Sequence, residues 1–457
     1  MNAQADAAAL TPSDENPFYV QAMAALAREQ DVVAQEDIYG TNGMKLVSKG
    51  SKVSQPQFER LAQHKLKVPL DHVLASERPI DATALAIAAA QILERDSVYC
   101  RLAARSGDAL AIKQALAALK LPRPLLLRLT VMREQRPAMF EHSLRTAMIA
   151  NALALRLRLP ASARELLAVA ALCHDIGEMH TDPLLLADNH DITPDERRFI
   201  HVHPLTGHVL LRGLADFPAA IPLAVLHHHE RLDGSGYPYG LRSDKISPLS
   251  KLVAVADVAE TVIRRFDLAR LDMLARLHHG RFDAAAVSAL RDLIHVTPED
   301  ACGQPEAQGA ALQLSKLADM LQAWATLREV FELRVAPARV EASPLAFLFE
   351  RMMAIRQLVL RAGIDPDHID SIMSLAREDP GILLELRTML DEMDWLQLDL
   401  ANEIDRRAPK LGSLAAGPLE ALKQQLRPSA AAAIPPELLS IVPEHDPEAE
   451  AAPPRRA

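Results

Sequence analysis

Histidine and aspartate side chains that can bind metal are concentrated in the middle of the chain. The sequence contains 17 histidines. Imidazole and carboxylate groups together suit Fe, Mn, Zn or Co, and the absence of paired cysteines disfavours a structural zinc site. We therefore predict a metal centre among His142, the pair His174-Asp175, His203, the run His227-His228-His229-Glu230, and Asp257.

Two adjacent pairs in this set, His174-Asp175 and His228-His229, predict two ions. Neighbouring side chains on a helix point about 100° apart, so a pair does not easily hold one small ion. We expect Asp175 to bridge two ions, and His228 and His229 to face one ion each. Two ions a few ångströms apart can activate a bridging hydroxide and stabilise both oxygens of a displacement at phosphorus. The predicted chemistry is hydrolysis of a phosphate ester.

The elements that must position these residues are predicted to be helices of one bundle, because metal sites form where side chains of separate helices converge. Helix starts are indicated by Pro137, by the capping box at Ser162 and by the cap at Thr193. The predicted helices run from 137 to about 158, from 162 to about 177, from about 194, from 219 to 230 and from 248 to about 264. The ligands then lie on five helical segments or at their ends.

The whole chain is predicted to be mainly α, with a small N-terminal α+β module and a C-terminal helical region. In the module, Val32–Tyr39 resembles a strand, Asn42-Gly43 indicates a hairpin, and Met44–Ser48 is the return strand. The C-terminal helices extend the core or form a homodimer surface. The predicted organisation is a disordered lead (1–17), the module (18–80), a helical connector (81–124), the metal-binding domain (125–300), the C-terminal helices (311–427) and a disordered tail (428–457).

Composition excludes several classes of partner. The net charge of -10 argues against binding a nucleic acid polymer, which needs a positive field. No signal peptide and no uncharged apolar window of about 18 residues is evident, so we expect no membrane association. Three widely spaced cysteines fit a reducing compartment, and a cytoplasmic location is predicted.

Five strings around the predicted ligands resemble the HD-GYP domain, a branch of the HD phosphohydrolase superfamily. They are EHSLRTA (141–147), LCHDIGE (172–178), HPLTGHVLL (203–211), HHERLDGSGYP (228–238) and VAVADVAE (253–260). The resemblance implies an all-helical bundle with two divalent metal ions, Fe or Mn. By position it implies seven metal ligands: His142, His174, Asp175, His203, His228, His229 and Asp257. It also implies hydrolysis of cyclic di-GMP to the linear dinucleotide or GMP. Segment 33–71 more loosely resembles a module found ahead of some such domains.

Further candidate residues lie in and beside the matching strings. Asp175 and Glu178 are the catalytic candidates. The candidates for contacting substrate are Asp233, Gly234, Gly236, Tyr237, Pro238 and Arg145.

Three positions depart from the family pattern. Glu178 stands where the family has a lysine that contacts a substrate phosphate, which places an anion near a dianionic substrate. Phe266 occupies the arginine position of an Arg-Pro-Tyr string, with Arg264 and Arg265 out of register. Ala138 stands where some members carry a glutamate for a third metal, so two metals are favoured.

Two alternative functions follow from these departures. The domain could bind cyclic di-GMP with little turnover, as a receptor or a docking module for signalling proteins such as GGDEF-domain proteins. It could also hydrolyse another nucleotide phosphoester. Simpler roles are predicted for other residues: Cys173 as a buried small side chain, and four histidines as surface or core residues, namely His190, His201, His208 and His227. For the substrate candidate Tyr237, a role as a turn residue is the alternative.

Overall fold

A computed structural model describes most of the chain. The described residues are 16–186, 194–265 without Asp233 and Ser235, 280–294, 307–334, 346–361, 368–379, 418–426, and single positions between 268 and 275 and between 382 and 404. The chain divides into two compact units. The first comprises residues 1–261, 279–295 and 443–457, and the second comprises 262–278 and 296–442.

The first unit begins with a small α+β module whose first helix is capped by Asn16. The Asn16 side chain accepts hydrogen bonds from the backbone N–H groups of Phe18 and Tyr19. Residues 16 and 17 therefore belong to a helix rather than to the predicted disordered lead, whose remainder lies outside the described residues. The elements are α1 (Pro17–Glu29), β1 (Val32–Ala34), β2 (Ile38–Tyr39), β3 (Lys45–Val47), α2 (Gln55–Leu61), α3 (Leu70–Val73) and β4 (Leu74–Ser76).

The predicted hairpin is present, but the strand before it is divided. β2 and β3 pair antiparallel around the Asn42-Gly43 turn, in which Gly43 has a φ of 82°. The segment predicted as one strand from Val32 forms two. β1 pairs instead with β4, which returns from a distant part of the module.

Helices cover most of the remaining first unit, so the mainly α fold prediction is confirmed. Asp81, Asp96 and Asp108 cap the three helices that follow the module by accepting backbone N–H bonds. The helices are α4 (Ala82–Arg95), α5 (Ser97–Arg105), α6 (Ala109–Ala117), α7 (Arg123–Gln135), α8 (Pro137–Arg156), α9 (Ala161–Leu172), α10 (Pro194–His201), α11 (His203–Arg212), α12 (Ala220–His227), α13 (Pro248–Arg265) and α14 (Ala284–Ile294). Short 3₁₀ turns cover Ile176–His180, Pro183–Leu186 and Ser243–Lys245.

Two helices end earlier than the sequence predicts, and both ends matter for the site. α9 ends at Leu172, so His174 and Asp175 lie in a turn followed by the 3₁₀ turn Ile176–His180. α12 ends at His227, so His228 and His229 also lie in a turn. The 100° argument for helical neighbours therefore does not apply to either pair.

The second unit is helical and has its own core. Its helices are α15 (Ala307–Arg334), α16 (Ala346–Arg361), α17 (Ile369–Glu378) and α18 (Pro418–Leu426). Buried Leu314, Trp324, Met352 and Leu390 belong to this core. α15 begins at Ala307, a little before the predicted start of the C-terminal helices at 311, and the predicted tail lies outside the described residues. Among the described helices, none combines the length and the apolar character that a membrane crossing requires.

Candidate metal centre

The seven predicted ligands lie together in one buried cluster of the first unit. They come from five places in the bundle: the second turn of α8, the first turn of α11, the turns after α9 and α12, and the middle of α13. A helical core formed by α8, α9 and α13 fixes these positions, because long runs of their residues are buried. Convergence of five segments produces a dense group of imidazole and carboxylate groups.

One half of the cluster contains His142 and His174. Their Nε2 atoms are 3.1 Å apart. Oδ2 of Asp175 lies 3.4 Å from the Nε2 atom of His142 and 3.0 Å from that of His174. Oδ1 of Asp257 faces the same two nitrogens at 3.4 and 3.6 Å. Two nitrogens and two carboxylate oxygens therefore surround one point.

The other half contains His203, His228 and His229. The Nε2 atoms of His203 and His228 are 3.3 Å apart. The second oxygen of Asp175, Oδ1, lies 3.3 Å from Nε2 of His203 and 3.5 Å from Nε2 of His228. His228 and His229 both have ligand atoms in this group, and His228 also has one in a group with His174 and Asp257, so the separation of the pair between two ions stays a prediction. Asp175 is shared by the two halves, with one oxygen in each.

The Nε2 atoms face inward because the other ring nitrogen is held by a carbonyl. Nδ1 of His174 lies 2.8 Å from the Ala171 carbonyl oxygen, and Nδ1 of His203 lies 2.8 Å from that of Ile200. His228 repeats the arrangement with the carbonyl of the residue three positions earlier, at 2.6 Å. A carbonyl accepts only, so each Nδ1 donates a proton, and Nε2 is the nitrogen that faces the cluster and is left to bind a metal ion.

His142 is oriented by Glu260 instead of by a carbonyl. The buried Glu260 carboxylate is hydrogen-bonded to Nδ1 of His142. Sequence reasoning missed this residue, although Asp257 and Glu260 are three positions apart on α13 and therefore lie on the same helix face. That spacing, next to a predicted ligand, was the available signal.

The donor set fits divalent cations. Inward lone pairs 3.1 and 3.3 Å apart repel one another unless a positive charge lies among them. Burial by itself lowers the pKa of His174, but the carboxylates of Asp175 and Asp257 raise it to about 10. Burial would likewise raise the pKa of Asp175, and the histidines, first His174, hold it well below its ordinary value. The cluster therefore favours positive charge at its centre.

Glu178 lies at the edge of the cluster, on the 3₁₀ turn after Asp175. Its Oε1 atom is 3.9 Å from Nδ1 of His203. Burial, and then the negative charge of Asp175, raise the pKa of Glu178 to about 7. The carboxyl group can therefore hold or release a proton near neutral pH.

The glycine-rich loop after His229 packs directly on the ligand turn. A Cβ atom on Gly236 would lie 2.4 Å from the carbonyl oxygen of His229, so only glycine fits. Glu230 holds the far side of the loop, because its carboxylate accepts the N–H groups of Tyr239 and Leu241, both at 2.8 Å. The loop is thus fixed against the cluster.

Tyr237 is more than a turn residue, because its ring stacks between two histidines. The centroids of Tyr237 and His229 are 4.6 Å apart, and those of Tyr237 and His201 are 4.0 Å apart. Burial raises the pKa of the Tyr237 hydroxyl well above its ordinary value, so the group stays protonated. His201, expected to be a simple surface or core residue, forms the outer layer of this stack.

Other candidates for contacting substrate have different surroundings. Gly234 (φ 79°) and the half-buried Pro238 belong to the same loop, whereas Asp233 lies outside the described residues. Arg145 is paired with Glu141 at 2.7 Å and with Asp96 at 3.7 Å. Its role in binding substrate stays a prediction.

The remaining sequence predictions concern side chains outside the cluster. Cys173 is buried, and burial raises the pKa of its thiol to about 12, so the thiol is inert. His208 and His227 contact only protein groups in the described part of the chain, through the Pro222 carbonyl and the Ser247 N–H respectively. Ala138 and Arg264 are exposed, nothing is described for the Arg265 side chain, and His190, Phe266 and Cys302 lie outside the described residues.

Known proteins are similar in sequence to part of this chain. Residues 129–284 match the HD domain family. The cyclic di-GMP phosphodiesterase PA4108 of Pseudomonas aeruginosa is 35% identical over 123 residues, which cover 27% of this chain and 30% of the relative. The cyclic di-GMP phosphodiesterase response regulator RpfG of Xanthomonas campestris is 35% identical over 120 residues, 26% of this chain and 32% of the relative. The 3'3'-cGAMP-specific phosphodiesterase 3 of Vibrio cholerae is 30% identical over 167 residues, 35% of this chain and 36% of the relative.

The helical fold, the His/Asp cluster and the match over residues 129–284 identify an HD domain in this part of the chain, similar to the HD-GYP type. The chain spans about a third of the length of these curated relatives.

Proposed function

We propose that this protein is a metal-dependent phosphodiesterase that hydrolyses a cyclic dinucleotide, with cyclic di-GMP as the preferred substrate. One observation carries the proposal. The two oxygens of Asp175 face different histidines, Oδ2 towards His142 and His174 and Oδ1 towards His203 and His228. A carboxylate shared in this way would suit two divalent ions, Fe or Mn, which would together supply positive charge for displacement at phosphorus.

The residues have distinct proposed roles. Bound ions would supply positive charge for the phosphate and lower the pKa of water. Asp175 and Asp257 provide the oxygen ligands, and the five histidines provide the nitrogen ligands. Glu178, whose pKa is raised to about 7, is the group that exchanges a proton during hydrolysis.

The loop beside the cluster is proposed to form one wall of the substrate pocket. Its backbone is held by Glu230, and Tyr237 presents a flat ring next to His229. The protonated phenol at the edge of this ring can donate a hydrogen bond to a phosphate oxygen. Products of the reaction would be the linear dinucleotide, GMP, or both.

The test is hydrolysis by the purified full chain under reducing conditions. The protein is loaded with Mn²⁺ or Fe²⁺ and given cyclic di-GMP, 3'3'-cGAMP and a linear dinucleotide in parallel, because one of the relatives named above is a 3'3'-cGAMP-specific enzyme. We expect metal-dependent cleavage of cyclic di-GMP, with the fastest turnover among the three. Intact substrates after loading would contradict the proposal, and faster cleavage of 3'3'-cGAMP would move the preference to that dinucleotide.

A second function is favoured by one observation, the carboxylate of Glu178 at the edge of the metal centre. In this alternative the domain binds cyclic di-GMP with little turnover and acts as a receptor, or docks on signalling proteins such as GGDEF-domain proteins. Binding and hydrolysis measured on the same metal-loaded sample separate the two functions. Tight binding of cyclic di-GMP without product supports the receptor function. Hydrolysis of cyclic di-GMP that is as fast as its dissociation from the protein excludes that function.

A further inference from the structure

The turn that directly follows the ligands His174 and Asp175 is held by residues that do not touch the metal centre. This turn, residues 176–181, directly follows Asp175 and contains Glu178. Arg136, at the start of α8, donates from Nη1 to the Glu178 carbonyl oxygen at 2.7 Å and from Nη2 to the Thr181 carbonyl oxygen at 2.9 Å. Arg136 thus holds the backbone of the turn at two positions, Glu178 and Thr181.

The N-terminal module holds the middle of the same turn. Nδ2 of Asn16 donates to the His180 carbonyl oxygen at 2.9 Å. The Tyr19 ring, on α1, stacks on the His180 ring with centroids 5.3 Å apart and planes 8° apart. One residue of the turn therefore makes both a backbone and a ring contact with the start of the chain.

Arg128 joins this contact to the rest of the module. The side chain lies on α7, is buried, and forms an ion pair with the buried Asp71 of α3. Its guanidinium lies 4.7 Å from the centre of the Tyr19 ring, and Nη1 is 3.1 Å from Nε2 of His180. A planar guanidinium can make these three contacts at once, which an ammonium group cannot.

The direction of the Arg128–His180 hydrogen bond is defined. Arginine has no acceptor, so Nε2 of His180 accepts and the ring is neutral. Burial, and then the positive charges of Arg128 and Arg136, lower the pKa of His180 to about 3, in agreement with a neutral ring. The contact is therefore stable across the physiological pH range.

We propose that Arg128 is a positioning residue through which the N-terminal module holds the His174-Asp175 turn in its metal-binding geometry. The connection runs from Asp71 through Arg128 to His180, five residues after Asp175. Because Asp175 serves both halves of the cluster, a small movement of the turn changes the affinity for metal in both. This inference rests on the proposed metal-binding function and adds the N-terminal module to the site.

Two variants and one matched control test the proposal in the full chain. Arg128→Lys keeps a cation beside Asp71 but cannot also reach His180. His180→Phe keeps the stack on Tyr19 but removes the accepting nitrogen. The control is Thr130→Val, two residues along α7, where a buried hydroxyl accepts the Ile80 N–H at 2.9 Å. Thr130 thus joins the same helix and module without touching the turn.

The readouts are Co²⁺ affinity from visible absorption, the shape of that spectrum, and the hydrogen-exchange rates of residues 176–181. We expect Arg128→Lys and His180→Phe to bind Co²⁺ at least about tenfold more weakly, as for other residues that orient ligands, and to exchange faster in the turn. Thr130→Val should keep wild-type affinity and spectrum. The double variant should bind Co²⁺ no more weakly than the single variant that has the lower affinity, because both changes break one connection.

Several outcomes would overturn the proposal. One is wild-type Co²⁺ affinity in both Arg128→Lys and His180→Phe. Another is an equal loss of Co²⁺ affinity in Thr130→Val, since that would indicate a general loss of stability. Additive effects in the double variant would show that the residues act separately. If Arg128→Lys does not fold, His180→Phe carries the test alone. A wild-type protein that binds no Co²⁺ would instead remove the proposed function on which the inference rests.

Discussion

At the scale of single residues, the proton on each imidazole decides what the cluster can bind. Three histidines donate Nδ1–H to carbonyls three positions earlier in the chain, namely His174, His203 and His228. His142 differs because its Nδ1 is paired with a carboxylate, that of Glu260. A carboxylate partner makes the imidazole a stronger ligand as well as orienting it.

Replacing Glu260 by glutamine should therefore weaken metal binding without changing a ligand. We expect Glu260→Gln to lower metal affinity by about 10- to 100-fold, the usual range for residues that orient a histidine ligand. Competition with a chelator of known affinity measures the change. Glu141→Gln is the control, because Glu141 precedes His142 but pairs with Arg145 and Arg95. Equal affinities in the two variants would show that Glu260 does not act through His142.

Glu178 is expected to oppose binding of an anionic substrate. Glu178→Lys exchanges an anion for a cation at the edge of the centre, so we expect the KM for cyclic di-GMP to fall by about tenfold or more, which corresponds to at least about 1.4 kcal/mol. Steady-state kinetics with the metal-loaded enzyme measure it. Glu165→Lys makes the same change of net charge at an exposed position of α9. A KM that is unchanged by Glu178→Lys would place the side chain away from the substrate phosphates.

At the scale of elements, the helices were predictable and their ends at the site were not. Apolar periodicity and Pro137 predict α8 well, and Asn42-Gly43 predicts the hairpin. The apolar run through Leu172, Cys173 and Ile176 resembles a continuing helix, so local pattern places the HD pair on α9. What fixes the turn is the close approach of Gly177 to α11, a contact between distant segments that spacing does not show.

The candidate site divides in the same way. The motifs shared with the HD-GYP pattern indicated all seven candidate ligands, and the structure brings these side chains together. The supporting contacts could not, because their partners are far apart in sequence. Arg128 and His180 are 52 positions apart, and Asn16 and His180 are 164 apart. Such partners are recognised only once the fold brings them together.

Gly177 tests the importance of that close approach. A Cβ atom there would lie 2.0 Å from the carbonyl oxygen of His203, so the backbone must shift. We expect Gly177→Ala to reduce the free energy of unfolding by about 3 kcal/mol, at the upper end for overpacking, and to lower metal affinity by displacing His203. Chemical denaturation and metal titration measure the two effects. Gly280→Ala, where a Cβ atom would meet nothing within 4 Å, should change neither.

The 3₁₀ turn also predicts a pH dependence of stability. The pKa of His180 is lowered from 6.5 to about 3, so the unfolded chain binds a proton that the folded protein excludes. The free energy of unfolding should therefore fall as pH falls from about 6.5 towards 3, by up to about 1.4 kcal/mol per pH unit from this group. Denaturation of metal-free wild type and His180→Gln across this window measures the difference. Parallel pH profiles would contradict the assignment of a neutral buried ring.

At the scale of the whole molecule, metal should stabilise one unit and not the other. The candidate ligands all belong to the first unit, while the second has a separate apolar core. Saturating Mn²⁺ at 100 times its Kd should stabilise the first unit by about 2.7 kcal/mol. Hydrogen exchange followed by mass spectrometry should then show slower exchange around His142, His174 and Asp257 only. Slower exchange in α15 as well would show that the two units respond together.

The long separations within the metal centre also set an order of events during synthesis of the chain. His142 and Glu260 are 118 positions apart, so the complete ligand set does not exist until α13 has left the ribosome. The contact of Asn16 with His180 can form earlier, because both residues precede α13. The N-terminal module can therefore hold the turn of residues 176–181 before the complete ligand set binds an ion. We therefore expect metal binding by the complete ligand set to be one of the last steps in maturation of the first unit. The contact between Asn16 and His180 can already be present at that step.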